Sequence, residues 1–98
     1  INTKQEVKIS ETISFFATEK RLQKDNLDIS LGTKDTELLL YFINNKSRVI
    51  SNDELVQNIW DFEHIPSDAT VRSHIRTLRE LVGKDKITTV RSAGYIYE

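Results

Sequence analysis

The stretch that decides the fold spans residues 67–83 and reads SDATVRSHIRTLRELVG. Its apolar side chains recur at the spacing that lines up one stripe of an α-helix: Val71, Ile75, Leu78 and Val82. The pattern predicts an amphipathic helix over 69–82 with one face in the core. We expect Asp68 to cap the start of this helix and Gly83, which tolerates positive φ, to end it.

Composition restricts the class of protein. A chain of 98 residues with 38% hydrophobic content is expected to form one domain over 1–98. It has no cysteine, which excludes disulfides and thiolate metal sites and is typical of a cytoplasmic protein. No apolar run has the length of about 18 residues that a membrane helix requires. Because the chain begins at Ile1, we expect it to be a piece of a longer protein.

Charge is unevenly distributed along the chain. The net charge of −1 argues against indiscriminate nucleic-acid binding. Residues 32–67 hold three basic and six acidic side chains, whereas residues 68–98 hold six basic and four acidic ones. Basic character is therefore concentrated around the predicted 69–82 helix.

The remaining chain divides into a sheet, helices and a hairpin. Period-two alternation over 5–31 predicts an antiparallel sheet of three or four strands, in which Leu27 faces the core. Residues 33–83 read as three helices, the second beginning near Asn52 behind a capping box formed by Ser51 and Glu54.

A short strand-like run, 48–50, precedes the second helix, and β-branched and aromatic residues over 86–97 predict a final hairpin. Gly94 is expected to take positive φ in its turn. The fold class is therefore α+β, with a sheet followed by three helices and a hairpin.

Three helices followed by a hairpin form the plan of a winged helix-turn-helix. In that plan the third helix enters the major groove of DNA and the hairpin reaches the neighbouring backbone or minor groove. Opposite and beside the core stripe lie polar side chains that can bind bases or phosphates: Thr70, Arg72, Ser73, His74, Arg76, Thr77 and Arg79. Helical periodicity alone is also compatible with an ordinary solvated face.

Two motifs then indicate a family. The run ATVRSHIRTLR at 69–79, followed by ITTVRSAGY at 87–95, resembles the C-terminal effector domain of OmpR/PhoB-family response regulators of bacterial two-component systems. The similarity extends over about residues 5–97. It implies sequence-specific binding of double-stranded DNA and control of transcription in a phosphorelay. It also implies a dimer on tandem half-sites, with the receiver domain and sensor kinase outside this chain.

The resemblance assigns roles to individual residues. Members use the third helix for bases and phosphates, which implies contacts from Arg72, Ser73, Arg76, Thr77 and Arg79, with Thr70 and His74 near the backbone. Arg91 matches the wing arginine that enters the minor groove, supported by Thr89, and Trp60 is expected to donate its indole N–H to a phosphate. The loop after the second helix is implied to contact RNA polymerase through Asp61, Phe62, Glu63, His64 and Ile65.

Other function classes find less support. The alternative is a winged-helix module that docks on polymerase or a partner protein without reading DNA. An enzyme is not expected, because no nucleophile, acid/base pair or glycine-rich phosphate loop is present. His64 and His74 lie on different elements, so we expect no metal site and no cofactor. Gly32 stands where relatives usually have a threonine cap, which predicts a poorer start for the first helix.

Overall fold

The computed structural model describes residues 6–98. Residues 1–5 lie outside this range, including residue 5, where the predicted sheet begins. The elements, in chain order, are β1 Glu6–Lys8, β2 Ile13–Phe16, β3 Arg21–Lys24, β4 Leu27–Ser30, α1 Thr33–Asn44, α2 Asn52–Ile59, α3 Asp68–Val82, β5 Ile87–Val90 and β6 Gly94–Tyr97. This order confirms the predicted winged helix-turn-helix. Among the described residues, no helix combines the length and apolar character needed to cross a bilayer.

The first four strands form an antiparallel sheet in the order β1-β2-β3-β4. Phe15 faces Leu22 across β2 and β3, and both side chains are fully buried, as their alternating pattern predicts. The expectation that Leu27 faces the core is wrong, since its side chain is 69% exposed. It lies on the edge strand β4, directly after the turn at Asp25 and Asn26, where the sheet leaves it uncovered.

The core lies between α3 and its neighbours. The whole predicted stripe of α3 is buried: Val71, Ile75, Leu78 and Val82. It packs against α1, α2 and β5. From α1 and α2, the fully buried partners in this core are Leu38, Leu39, Phe42 and Leu55. Burial of this stripe fixes which face of α3 remains outside.

The ends of α3 differ in one respect from the prediction. Ser67, with an extended backbone, is the N-cap, and its hydroxyl accepts a hydrogen bond from the Thr70 backbone N–H at 3.1 Å. Asp68 is already helical, so the expectation that it caps the helix is wrong. Its carboxylate instead accepts a hydrogen bond from the Asn52 side chain at 3.3 Å. Gly83 ends the helix with φ +113°, as expected for a residue that must adopt positive φ.

The start of α2 confirms half of the predicted capping box. The Ser51 hydroxyl accepts from the Glu54 backbone N–H at 3.0 Å. The Glu54 carboxylate does not return the contact, because it accepts hydrogen bonds from the Arg48 guanidinium and the Tyr41 hydroxyl. Hydrogen bonds from Arg48, then from Tyr41, lower the pKa of Glu54 to about 2. The carboxylate is therefore ionised at neutral pH and ties α2 to α1. At the start of α1, by contrast, Gly32 makes no side-chain capping bond, as expected.

Backbone hydrogen bonds attach the wing to the segment between α1 and α2, and one of them runs from the Ser47 N–H to the Tyr97 carbonyl at 2.9 Å. The Ile50 N–H donates to the Tyr95 carbonyl at 2.7 Å, and the Tyr95 N–H donates to the Ile50 carbonyl at 2.9 Å. The predicted strand-like run 48–50 is reduced to this single bridge. Gly94 has φ +144°, and a Cβ at this position would stand 2.0 Å from the Ile50 carbonyl oxygen. Glycine is therefore required where the wing meets the core.

Replacing Gly94 with alanine is expected to destabilise the domain by about 1–3 kcal/mol, through backbone strain and the clash with Ile50. Chemical denaturation monitored by circular dichroism measures this loss. Gly32→Ala is the matched control, because Gly32 has φ −68° and no atom within 4 Å of its Cβ position. Its stability should change by no more than about 0.5 kcal/mol, because alanine is a poorer N-cap than glycine but lowers the entropy of the unfolded chain. Equal losses in both variants would contradict the assignment.

Candidate nucleic-acid interface

One face of α3 is free of contacts with the core. Because the apolar stripe points inward, the side chains on the opposite side of the helix are exposed: Thr70, Arg72, Ser73, Arg76, Thr77 and Glu80. Two of these are arginines separated by one helical turn, and three carry hydroxyl groups. The face therefore presents guanidinium and hydroxyl donors along the length of the helix.

The wing extends this face. Residues of α3 and the hairpin line a groove of about 160 Å³: Arg72, Ile75, Arg76, Arg79, Thr89 and Tyr95. Ile75 and Tyr95 form its buried floor, whereas Arg72, Arg76 and Thr89 are exposed. The fold thus brings Thr89 of β5 beside arginines that precede it by 10 to 17 residues. Four predicted site residues, Arg72, Arg76, Arg79 and Thr89, line this one groove.

Arg91 lies at the tip of the hairpin. Its side chain is exposed, and the following Ser92 has φ +62°, so the chain reverses direction within the turn. A second groove of about 360 Å³ separates this turn from Ser51, the N-cap of α2, and from Asn52, its first residue. The capping-box pattern assigns Ser51 only a capping role. Its position beside the wing could not be read from local pattern, because it depends on the bridge between Ile50 and Tyr95.

His74 and Trp60 do not lie on the exposed face. The His74 Nδ1 is 2.7 Å from the Asp35 carboxylate of α1, and its ring is tilted against Trp60 with a centroid distance of 5.6 Å. Both side chains are partly buried. The sequence contained a signal for this placement, since His74 follows Val71 by three residues and so flanks the core stripe. The structure shows these two residues joining α3 to α1 and α2.

Arg79 differs from its two companions. Its side chain is partly buried, whereas those of Arg72 and Arg76 are exposed. Its Nε is buried and has no hydrogen-bond partner among the described residues. Next to it, the Arg76 Nε lies 3.7 Å from the Glu80 carboxylate, one helical turn away. With Lys84, these side chains line a groove of about 340 Å³ at the C-terminal end of α3.

The loop 61–65 forms a separate surface. It contains a 3₁₀ turn, Phe62–His64, and exposes two large apolar side chains, with Phe62 86% and Ile65 69% exposed. Both line a shallow groove of about 340 Å³ that includes Trp60 and Val56 of α2. The acidic Asp61 and Glu63 and the nearby His64 are also exposed. This surface is apolar and acidic, in contrast to the basic face of α3.

A winged helix with a basic, hydroxyl-rich third helix is the class of protein that these features define. Residues 25–97 match the family model described as "Transcriptional regulatory protein, C terminal". This chain belongs to that family, as an OmpR/PhoB-type domain.

Individual proteins also resemble this chain in sequence or in structure. The chain is 36% identical over 67 residues to the transcriptional regulatory protein VxrB of Vibrio cholerae. The aligned region covers 68% of this chain and 27% of VxrB. The DNA-binding domain of Escherichia coli CadC is similar in structure, with a TM-score of 0.83, 25% identity, and coverage of 98% of this chain and 94% of that one. The OmpR/PhoB homologue DrrB of Thermotoga maritima shares the fold, with a TM-score of 0.77, 22% identity, and coverage of 94% and 43%. The chain thus spans about a quarter of the length of VxrB.

Proposed function

We propose that this chain binds a specific sequence in double-stranded DNA, as the output domain of a response regulator that controls transcription. The observation that carries this proposal is the continuous surface formed by Arg72 and Arg76 of α3 and Thr89 of the wing. The similarity to the DNA-binding domain of CadC supports it. The alternative, an interaction module that does not read DNA, lacks comparable support.

In this proposal α3 enters the major groove. An arginine guanidinium can donate two hydrogen bonds to the O6 and N7 acceptors of guanine, and serine or threonine hydroxyls can bind any base edge. Arg76, Ser73 and Thr77 are therefore assigned to bases. Arg72 is assigned to bases or to the flanking phosphates. Thr70 is assigned to the phosphate backbone, near the N-terminus of α3. Arg79 is assigned to the phosphate backbone at the other end of the helix.

The wing is assigned to the adjacent minor groove. Arg91 is exposed at the tip of the hairpin, and a narrow minor groove attracts arginine through its enhanced negative potential. Thr89 stands between Arg91 and α3 and is assigned to the intervening phosphate. His74 and Trp60 contribute by holding α3 in place, since the carboxylate of Asp35 already engages the His74 ring.

Affinity and specificity have different sources in this arrangement. Phosphate contacts supply most of the affinity, and the net charge of −1 keeps non-specific binding weak. Two copies on tandem half-sites about one helical turn apart, roughly 34 Å, would raise the affinity of the assembly. We propose that a phosphorylated receiver domain and a sensor kinase outside this chain, acting in the cytoplasm, bring the two copies together.

The loop 61–65 is assigned to RNA polymerase. It lies apart from the basic face and exposes Phe62 and Ile65 next to acidic side chains. An exposed aromatic and an aliphatic side chain on one short loop are the type of anchor that protein interfaces use. DNA binding and polymerase contact would then use separate surfaces of the same domain.

Arg91→Ala is expected to weaken binding by about tenfold to a duplex recovered by selection from random sequence. It should also reduce, by about one unit, the slope of the logarithm of the binding constant against the logarithm of the salt concentration. Arg76→Lys keeps the positive charge but loses the bidentate hydrogen-bonding geometry of the guanidinium. It should leave the salt dependence of binding unchanged while lowering discrimination between sequences. Fluorescence anisotropy over a series of salt concentrations measures both quantities. Lys8→Ala, on the distant strand β1, is the charge-matched control. Unchanged affinity and slope in Arg91→Ala would show that the assigned wing contact is wrong.

Phe62→Ala should leave DNA affinity unchanged but lower transcription by RNA polymerase at least about fivefold, the loss expected for an interface anchor. The measurement is reconstituted transcription with the full-length regulator at saturating promoter occupancy. Leu27→Ala is the control, since Leu27 is also a large apolar side chain and is 69% exposed on the sheet. Transcription that falls equally in both variants, or in neither, would contradict this assignment.

A further inference from the structure

Glu80 is an unexpected residue on the exposed face of α3. Arg72, Arg76 and Glu80 follow one another at intervals of four residues and so form a single line along the helix. The other acidic residue of α3, Asp68, lies in its first turn. Glu80 therefore places a carboxylate within the surface proposed to meet DNA.

Neither stability nor affinity explains this carboxylate. Its side chain is 61% exposed and adds nothing to the core. It lies in the last turns of α3, where the helix dipole disfavours negative charge, and DNA phosphates would repel it. An exposed ion pair such as that between Arg76 and Glu80 contributes little to folding. Glu80 is therefore unfavourable for general DNA affinity, and sequence discrimination is the role that its chemistry supports.

The contact between the two side chains suggests how this discrimination works. The Glu80 Oε2 lies 3.7 Å from the Arg76 Nε, a distance at which the two charges attract each other without a hydrogen bond. The terminal nitrogens of Arg76 are the guanidinium atoms that can bind guanine O6 and N7. The Glu80 carboxylate can also accept a hydrogen bond from the N4 amino group of cytosine, the base that acidic side chains recognise in the major groove.

Nearby cations make this role feasible. Arg79 and Lys84 line the same groove as Arg76 and Glu80. Three positive charges therefore surround one carboxylate and offset its repulsion from the phosphates when the helix enters the groove. The carboxylate can then be retained at the interface without abolishing binding.

We propose that Glu80 is a specificity-determining residue, which orients Arg76 on a guanine and itself selects a cytosine at a neighbouring base pair. This inference rests on the proposed function. It assigns to Arg76 and Glu80 together a two-base preference that neither side chain would impose alone.

Selection from random duplexes with the wild type, Glu80→Gln and Glu80→Ala tests the inference. Wild type should select a guanine with a nearby cytosine. Glu80→Ala should lose the cytosine preference. The ratio of its affinities for duplexes with cytosine and with another base at this position should fall about tenfold, the size of one base contact. Glu80→Gln should move the preference toward adenine, which glutamine binds through N6 and N7. Both substitutions are on an exposed position, and thermal unfolding should confirm that each variant is folded.

Glu11→Gln, in the loop before β2, is the matched control for loss of one negative charge and should select the wild-type motif. If Glu80→Ala selects the wild-type motif and only binds every duplex more tightly, Glu80 acts through charge alone and the inference is overturned, while the proposed function stands. If the wild type selects no motif at all, the proposed function fails and this inference fails with it.

Discussion

Burial of the apolar stripe of α3 is the constraint on which the rest of the structure depends. Val71, Ile75, Leu78 and Val82 are each at most 3% exposed, and each buried aliphatic side chain of this size stabilises the fold by about 1.5–3 kcal/mol. Turning the helix about its axis would expose this stripe and bury Arg76. The free energy of core formation therefore dictates which side chains of α3 face solvent.

The position of the wing depends on a second, smaller contact. The paired hydrogen bonds between Ile50 and Tyr95 attach the hairpin to the segment before α2, and Gly94 allows the two backbones to approach. As a result, β5 lies beside α3, and Arg91 is exposed in the turn of the hairpin. A helix face determined by the core, and a hairpin held by these backbone bonds and by its own buried side chains, thus form one continuous surface. The apolar loop 61–65 stays separate, which leaves room for a different partner.

The sequence predicted those features that depend on local pattern. The α3 stripe and the positive φ of Gly83 and Gly94 could be read from spacing and residue type, because helix periodicity and glycine stereochemistry act locally. Features that depend on tertiary contacts could not be read in this way. Leu27 obeys the strand alternation and is still exposed, because nothing packs over that end of the edge strand. Glu54 has the correct spacing for a capping box, but a guanidinium and a phenol from neighbouring segments attract its carboxylate more strongly.

The same distinction applies to the site. The exposed residues of α3 were predicted from periodicity, whereas the inward placement of His74 depends on Asp35, which is 39 positions earlier in the chain. Arg76 and Glu80 are one helical turn apart, so their contact can be read from the sequence. The role proposed for this ion pair depends on the groove that Arg79 and Lys84 line with it. Residue type and spacing thus identify the helix that carries the proposed interface. The tertiary structure determines which of its side chains are exposed.

An NMR titration of the isotopically labelled chain with its selected duplex maps the DNA-bound surface residue by residue. The structure predicts that backbone amide signals of 69–80 and 89–93 shift or broaden, while those of the sheet over 6–30 stay in place. Perturbations confined to the sheet, with the signals of α3 unchanged, would show that the exposed face of this helix is not where DNA binds.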